Sequence, residues 1–379
     1  MSKILNWGLL STARINRALI PPLQVSKRNH LLAVGSRSQA IAEAYAKEKN
    51  IKRAYGSYEA LLADAENDVI YNPLPNHLHA EWTIKALEAG KHVLCEKPLA
   101  LTVHEVDAIK SAAHKHGRVV AEAFMYRHHP QTLKVQELVK SGSLGTLKLI
   151  RGSFTFVISQ NGDGRLNHEW GGGSIGDVGC YPISYARTVV GEEPLEVFGW
   201  QVTGPTGIDD TFVGQMKFKD DVLAQFDSSF VIPFHSFMEI VGSEGTLNIP
   251  HPFKPGVNEK VYLTRGEKIE TVTVKGQELY LGEVEDMADA ILLGKDPRVS
   301  LDDSRANVAV ISAFLESARN GIPVHLIPPA PGRGLSALLA QVLLGDRVSL
   351  ELAERRRVDA TPVPVIHRLR SAFGKEQRP

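Results

Sequence analysis

Three side chains stand out as able to do chemistry. Lys97 lies in Cys95-Glu96-Lys97-Pro98, directly after the strand-like run His92-Val93-Leu94-Cys95. Asp177 and Tyr181 follow the run Gly171-Gly172-Gly173 and stand four apart, so a helix presents them on one face. Pro182 fits a helix only near its start, which places the pair in the first turns. A free phenol has a pKa of about 10, too high for an efficient base at neutral pH, and a nearby ammonium lowers it. Lys97 and Tyr181 together would make an acid–base pair that takes a proton from a hydroxyl or returns it. Asp177 would balance the lysine charge or orient hydroxyl groups of a ligand.

The surrounding pattern indicates what holds these residues. Through residue 122 short apolar runs (4–10, 31–35, 69–72, 92–95, 119–121) alternate with amphipathic stretches of helical spacing. The first helical stretch, 16–23, is expected to be disturbed by Pro21-Pro22. Strand and helix alternating in this way imply a parallel sheet covered on both faces. Lys97 then falls at the carboxyl edge of that sheet, where such sheets bind ligands. Beyond residue 122 the strand candidates are 147–159, 195–203, 211–218, 222–230, 237–241, 245–249, 260–265 and 269–274. Few helices interrupt them, so an antiparallel sheet is expected. The fold class is α/β, a doubly wound parallel domain (1–122) followed by an α/β domain with a large open antiparallel sheet (123–326). Residues 327–379 follow the break Pro328-Pro329-Ala330-Pro331-Gly332 and read as an accessory tail.

A nucleotide site is expected at the same edge. Gly8-Leu9-Leu10-Ser11-Thr12-Ala13 matches the dinucleotide fingerprint at Gly8 and Ala13 but not at Leu10. Backbone N–H groups at the helix start, with Ser11 and Thr12, would meet a pyrophosphate. An NAD site places Asp or Glu after the second strand, yet here Ser36 and Arg37 stand there and the next acid is Glu43. A hydroxyl and a guanidinium suit a 2′-phosphate, which favours NADP over NAD. Asn72, Leu74 and Asn76 follow the third strand and would approach the nicotinamide ribose and pyrophosphate, although Asn76 could instead cap a helix. His77 and His79 look like a metal pair but lack further ligands at suitable spacing, so no metal is expected.

Composition narrows the class. The 379 residues are 43 % hydrophobic and carry 43 basic against 43 acidic side chains, a balance that gives no support to nucleic-acid or membrane-surface binding. No apolar run approaches the roughly 18 residues of a membrane span. Two cysteines, Cys95 and Cys180, exclude a disulfide scaffold and a four-thiolate zinc site. Met1-Ser2-Lys3 leads straight into a strand-like run, so a cytoplasmic protein is expected.

Several stretches carry a family resemblance: Tyr71-Asn72-Pro73-Leu74-Pro75-Asn76-His77-Leu78-His79, Gly90 through Pro98, Ala123-Phe124-Met125-Tyr126-Arg127, Gly171 through Tyr181, and Val241-Gly242-Ser243-Glu244-Gly245-Thr246. Together they resemble the glucose–fructose oxidoreductase, inositol dehydrogenase and rhizopine-catabolism oxidoreductase (Gfo/Idh/MocA) family over residues 3–326. The resemblance implies hydride transfer between a nicotinamide and a carbon bearing a hydroxyl or carbonyl. It makes Lys97 the active-site lysine and Glu96 its neighbour at the cofactor. Asp177 and Tyr181 are similar to the branch of glucose–fructose oxidoreductase, NADP-dependent D-xylose dehydrogenase and dihydrodiol dehydrogenase, in which the tyrosine carries the proton. Arg127 falls where the family chain crosses between domains, as a substrate contact or a structural salt bridge. Arg165 and His168, just before the glycine run, could reach a polar sugar, although His168 could instead be an ordinary loop residue. The expected activity is oxidation of an aldopyranose such as D-xylose or D-glucose at C1. Ketosugar reduction, dihydrodiol oxidation, glycosidase-like chemistry with a recycled nicotinamide, and non-catalytic regulation are its alternatives. A homodimer or homotetramer through the second-domain sheet is implied.

Overall fold

The alternation in the first third of the chain resolves into six parallel strands. They are β1 (Leu5–Leu10), β2 (Asn29–Gly35), β3 (Arg53–Tyr55), β4 (Val69–Asn72), β5 (His92–Glu96) and β6 (Val120–Ala123), in the order β3-β2-β1-β4-β5-β6. The structure is a computed structural model and describes residues 3–159 and 162–326. The expected tail, 327–379, lies outside the described residues.

Helices α1 (Asn16–Val25), α2 (Gln39–Lys49), α3 (Tyr58–Ala63), α4 (His79–Glu88) and α5 (Val103–His116) connect the strands, and α6 (Pro130–Lys140) follows the last of them. The sheet is apolar on both faces, as a doubly covered parallel sheet must be. Trp7 and Leu9 of β1 enter one core with Leu19 and Leu23, while Leu10 enters a second with Ile70, Val93 and Cys95. Local signals set the helix ends. Thr102 and Glu105 form a reciprocal capping box at the start of α5, and Gly117 ends it at φ 60°. The break expected at Pro21-Pro22 does not occur, because α1 runs through both prolines. Burial of Leu19, Ile20, Pro22 and Leu23 offsets the missing N–H groups.

The chain order reverses between β1 and β4, which lie side by side. This is the topological switch point at which such sheets open a ligand crevice. Ser11, Pro73 and Lys97 all follow strands at this edge.

The second sheet takes in β7 (Leu147–Thr155), β8 (Glu196–Thr203), β9 (Asp209–Lys217), β10 (Leu223–Ser229), β11 (His235–Gly242), β12 (Thr246–Ile249), β13 (Asn258–Arg265), β14 (Lys268–Lys275) and β15 (Val324–His325). Its order is β14-β13-β12-β11-β7-β10-β9-β8-β15. The expectation of an antiparallel sheet needs one correction, since β7 and β10 pair in parallel. Strand β9 shows the period-two burial of a half-covered sheet, with Phe212 and Met216 inside and Val213 and Lys217 outside. The inner face packs on α7 (Cys180–Val190) and α9 (Leu301–Asn320), with Phe314 edge-on to Phe212 and Phe226. Gly214 makes room for this stack, because a Cβ there would strike Phe226.

The chain then returns to the first sheet through α8 (Leu281–Leu293) and α9. Arg28 donates through Nε to Glu285 (2.7 Å), and Arg305 through Nε to Asp107 (2.7 Å). These pairs fasten the second domain to the first, so residues from both can meet in one crevice. Among the described residues no helix is long and apolar enough to cross a membrane.

Candidate active site

Strand β5 ends at Glu96 and delivers Lys97 to the carboxyl edge. Opposite it, the glycine run enters a π-helical turn, Ile175–Gly179, that leads into α7. Lys97 Nζ donates to Asp177 Oδ1 (2.6 Å) and to the Asp177 carbonyl (2.7 Å). The two side chains are 11 % and 18 % exposed, so the pair is shielded from water. Burial alone would lower the lysine pKa, but the Asp177 carboxylate outweighs it and holds Lys97 above the ordinary value. Burial raises Asp177 in turn, and Lys97 and Arg165 outweigh that and keep it below the usual range. Arg165 approaches Asp177 Oδ2 at 3.6 Å and forks onto Asp163 through Nε (2.9 Å) and Nη2 (2.7 Å).

Asp209, at the start of β9, holds the turn that carries Asp177. Its Oδ2 accepts from Ser174 Oγ (2.8 Å) and from the Ile175 N–H (2.7 Å). Gly173 has φ 128°, and a Cβ there would run into Asp209 Oδ1, so glycine is required on both counts. Burial raises Asp209 to about 6. Sequence reasoning missed this residue, because nothing local to Asp209 marks it as the partner of a turn more than thirty residues earlier.

The expected pairing of the Lys97 ammonium with the Tyr181 hydroxyl is not what the structure shows. Lys97 Nζ lies over the phenol ring, 5.2 Å from its centre. The hydroxyl instead faces Met125 Sδ at 3.6 Å. Phe124, Phe154 and Phe253 surround the ring with centres 5.4–5.5 Å away, and the residue is 5 % exposed. Burial pushes its pKa well above that of a free phenol. The spacing of Asp177 and Tyr181 promised a shared face, but the π-helical turn intervenes and apolar packing decides where the hydroxyl goes.

The nucleotide edge also needs a change of register. Gly8 lies inside β1, where a Cβ would press on Ile70 Cδ1 (3.0 Å) and Leu61 Cδ1 (3.1 Å), so its role is packing. The turn begins at Ser11, which takes φ 83°, the left-handed conformation that a fingerprint glycine normally supplies. Counted from there, the six-residue motif runs 11–16 and ends at the fully buried Asn16, the first residue of α1. Asn16 Nδ2 donates to the Ser11 carbonyl (2.9 Å), and the Ser11 N–H donates to the Gly35 carbonyl (2.9 Å). Thus the turn is tied to the end of β2. Among the described residues the N–H groups of Thr12, Ala13, Arg14 and Ile15 have no backbone acceptor. Beyond β2, Ser36 is buried and Arg37 is exposed, with no ion pair for Arg37 among the described residues. Free amides in a turn, and a cation with no acid beside it, fit a dinucleotide that carries an extra phosphate.

Other expected contacts are already engaged. Asn72 is fully buried, donates to the His79 carbonyl (3.1 Å) and Thr83 Oγ1 (3.2 Å), and accepts from the Leu74 N–H (3.3 Å). It shapes the loop after β4, and Leu74 is buried in the same loop. Asn76 donates to the Gly171 carbonyl (2.9 Å) and so joins the two domains across the crevice. Glu96 accepts from Tyr71 Oη (2.5 Å) and from the Lys97 N–H (3.3 Å). Of the two roles expected for Arg127, the structure shows the salt bridge, to Asp303 (2.8 Å), together with a bond donated to Ser184 Oγ (3.2 Å). His168 is exposed in a short helical turn beside the site. His79 faces two carbonyls, of Pro98 and Leu74, each at 2.7 Å, and His77 stacks on Trp170 at 5.8 Å. Neither His77 nor His79 is arranged as a metal ligand, and among the described residues no group of three candidate ligands could hold a metal ion.

Comparison with known proteins places this geometry. Residues 5–124 match the family model described as oxidoreductase family, NAD-binding Rossmann fold. Residues 132–248 match the GFO/IDH/MocA C-terminal domain. A third model, bacterial phospho-glucose isomerase C-terminal SIS domain, matches residues 260–373. Its described part supplies β13, β14 and β15 to the second sheet and the two helices that pack back on the first domain, so it marks no separate fold there. The chain is 37 % identical over 326 residues to D-xylose 1-dehydrogenase (NADP(+)) 2 of Haloferax volcanii, covering 84 % of this chain and 99 % of that one. Among solved structures it resembles aldose-aldose oxidoreductase from Caulobacter crescentus complexed with glycerol. That likeness has a TM-score of 0.80 and 27 % identity, covering 86 % and 100 % of the two chains. It also resembles a 3-ketoreductase from Actinomadura kijaniata in complex with NADP and TDP-benzene, with a TM-score of 0.79 and 28 % identity, covering 83 % and 98 %.

Proposed function

The chain belongs to the Gfo/Idh/MocA oxidoreductase family, and from that premise we propose an NADP-dependent sugar oxidoreductase that oxidises an aldopyranose at C1. The observation that carries this reading is the shielded Lys97–Asp177 pair at the switch-point edge of a dinucleotide-binding sheet. The similarity to a D-xylose 1-dehydrogenase supports an aldose as the substrate type and C1 as the carbon.

The turn 11–16 would hold the pyrophosphate on its free amides, and Ser36 and Arg37 would hold the 2′-phosphate. When bound, the nicotinamide supplies the hydride acceptor or donor. The protein's part is to place the substrate oxygen and move its proton. Lys97 is the group we assign to that oxygen. Its Nζ is fixed by two bonds to Asp177, which leaves it a third donor direction. As an ammonium it donates to a developing alkoxide. In the oxidative direction its neutral amine accepts the hydroxyl proton. Arg165 and Asp177 would orient the other hydroxyls, and the Tyr181 ring forms the floor beneath Lys97.

One observation favours a second reading. Both Lys97 and Tyr181 are held protonated, so at neutral pH the site is primed to donate a proton. That suits reduction of a ketosugar, the type of reaction named for the Actinomadura kijaniata relative. Absorbance at 340 nm decides between the two. Growth of signal with NADP⁺ and one aldose supports the dehydrogenase, and decay of NADPH with ketosugars alone supports the reductase. Silence in both removes the sugar oxidoreductase.

The outer face of the second sheet carries exposed Trp200, Val202, Val213 and Leu223. An apolar patch of this kind marks an interface, and we assign it to a second copy of the chain. Light scattering on the purified protein is expected to give at least a dimer, and a monomer at micromolar concentration removes the assignment.

A further inference from the structure

Three cations lie over one aromatic strip. Tyr181 touches Phe154, and Phe154 touches Phe156, with ring centres 5.4 Å and 6.4 Å apart. Lys97 Nζ is 5.2 Å from the centre of Tyr181, and Lys254 Nζ is 5.7 Å from that of Phe154. The Arg165 guanidinium carbon is 5.1 Å from the centre of Phe156. Two of the three charges are met by carboxylates. Asp177 gives one oxygen to Lys97 and turns the other to Arg165, and Asp163 binds Arg165 through both of its oxygens. Lys254 has no ion pair and no side-chain hydrogen bond among the described residues.

Lys254 comes from the loop between β12 and β13, immediately after Phe253, which stacks on Phe154 at 5.1 Å. It lies in the electrostatic field of Lys97, Asp177, Arg165 and Arg17. Asp177 and Asp163 are already bound by the other two cations, and among the described residues no carboxylate pairs with Lys254. Lys254 is exposed, so water meets its ammonium in place of a carboxylate and an anionic group on a ligand could take that place. Lys97 serves the reacting oxygen, and Lys254 sits over the next ring along.

We propose that Lys254 is a specificity residue, and that the substrate is a sugar bearing a carboxylate or phosphate away from the reacting carbon. Arg165 is its companion on the strip. This rests on the sugar-oxidoreductase reading above and narrows its substrate class to anionic sugars. A charge-assisted hydrogen bond of this kind separates charged from neutral ligands by roughly ten- to a hundredfold.

The test uses the full chain with NADP⁺ and three probes: D-glucose, D-glucuronate and D-glucose 6-phosphate. The kcat/KM of one charged sugar is expected to exceed that of glucose by roughly tenfold or more. Lys254→Met should bring the ratio towards one through KM, and Lys254→Arg should keep it. The better of the two charged probes identifies carboxylate or phosphate. A wild-type ratio at or below one overturns the proposal, as does a ratio that Lys254→Met leaves unchanged. Calorimetry on NADPH-loaded protein makes the same comparison without turnover. Charged-sugar binding that depends on Lys254 supports the site, while equal or absent binding overturns it. Weakened NADPH binding in Lys254→Met also overturns it, because the charge would then serve the cofactor. If turnover is silent but Lys254-dependent binding persists, the oxidoreductase reading fails and the anion site stands. Oxidation of glucose with no charge preference gives the opposite result.

Discussion

The two sides of the crevice meet their charges differently. On the nucleotide side, the amides of Thr12 to Ile15 and the Arg37 guanidinium face no acid or backbone acceptor among the described residues. On the substrate side, Lys97 and Arg165 are already bound to Asp177 and Asp163. On our reading the first side is completed by phosphate brought from outside. The second is organised in advance, so the lysine to which we assign the proton is already held in position before substrate arrives. Removing one residue should therefore cost binding on the first side and turnover on the second.

The largest effect is expected at Lys97. Lys97→Met should lower kcat about 10³-fold, within the usual range for an acid–base group. NADP⁺ affinity by calorimetry should change far less, and a comparable loss of affinity would erase the contrast between the two sides. The same lysine sets a pH dependence. Asp177 raises its pKa, so the neutral amine needed for oxidation is scarce at pH 7. Oxidation should rise about tenfold per pH unit through neutrality while reduction stays flat. A flat oxidative profile would move proton transfer to another group.

Arg37→Ala sharpens the nucleotide side. It should weaken NADP⁺ by roughly 10- to 100-fold and leave NAD⁺ nearly unchanged, as loss of a charge-assisted phosphate contact does. Equal losses for both nucleotides would remove the 2′-phosphate assignment.

Asp209 tests how firmly the substrate side is organised. Its folded pKa of about 6 lies above the roughly 4 of an unfolded aspartate. Its protonated form is therefore favoured in the folded state. The stability it contributes is complete below about pH 4 and is lost as pH rises through 6, on the order of 2 kcal/mol. Asp209→Asn should flatten this slope in urea melts from pH 4 to 7. An unchanged slope would show that another group sets it.

Tyr181→Phe should have the smallest effect, under about tenfold in kcat, because the hydroxyl faces Met125 and only the ring meets Lys97. A loss of 10²-fold or more would restore the hydroxyl as proton carrier.

Much of the framework was legible in the residue pattern. The strands expected at 69–72 and 92–95 appear as β4 and β5, and those at 222–230 and 237–241 as β10 and β11. Buried parallel strands read as continuous apolar runs, and half-covered strands alternate. The short strands β3 and β15 were not legible, because Arg53–Tyr55 and Val324–His325 are too brief to show a period. The fingerprint register was also hidden. Gly8 suggested a start inside the strand, whereas Ser11 takes the left-handed turn despite being no glycine.

The sequence by itself determined the two-sheet α/β plan, the delivery of Lys97 to the carboxyl edge, and the absence of an acid after β2. These depend on local order, hydrophobic period and chain direction. Tertiary structure decided the rest. It gave Asp177 to Lys97, Arg127 to Asp303, and the Tyr181 hydroxyl to Met125, and among the described residues it left Lys254 without an acid. In each case the partner is remote in sequence or is fixed by packing. Which donor meets which acceptor is settled only when the two sheets close on each other, because a buried side chain takes whichever partner the surrounding core leaves within reach.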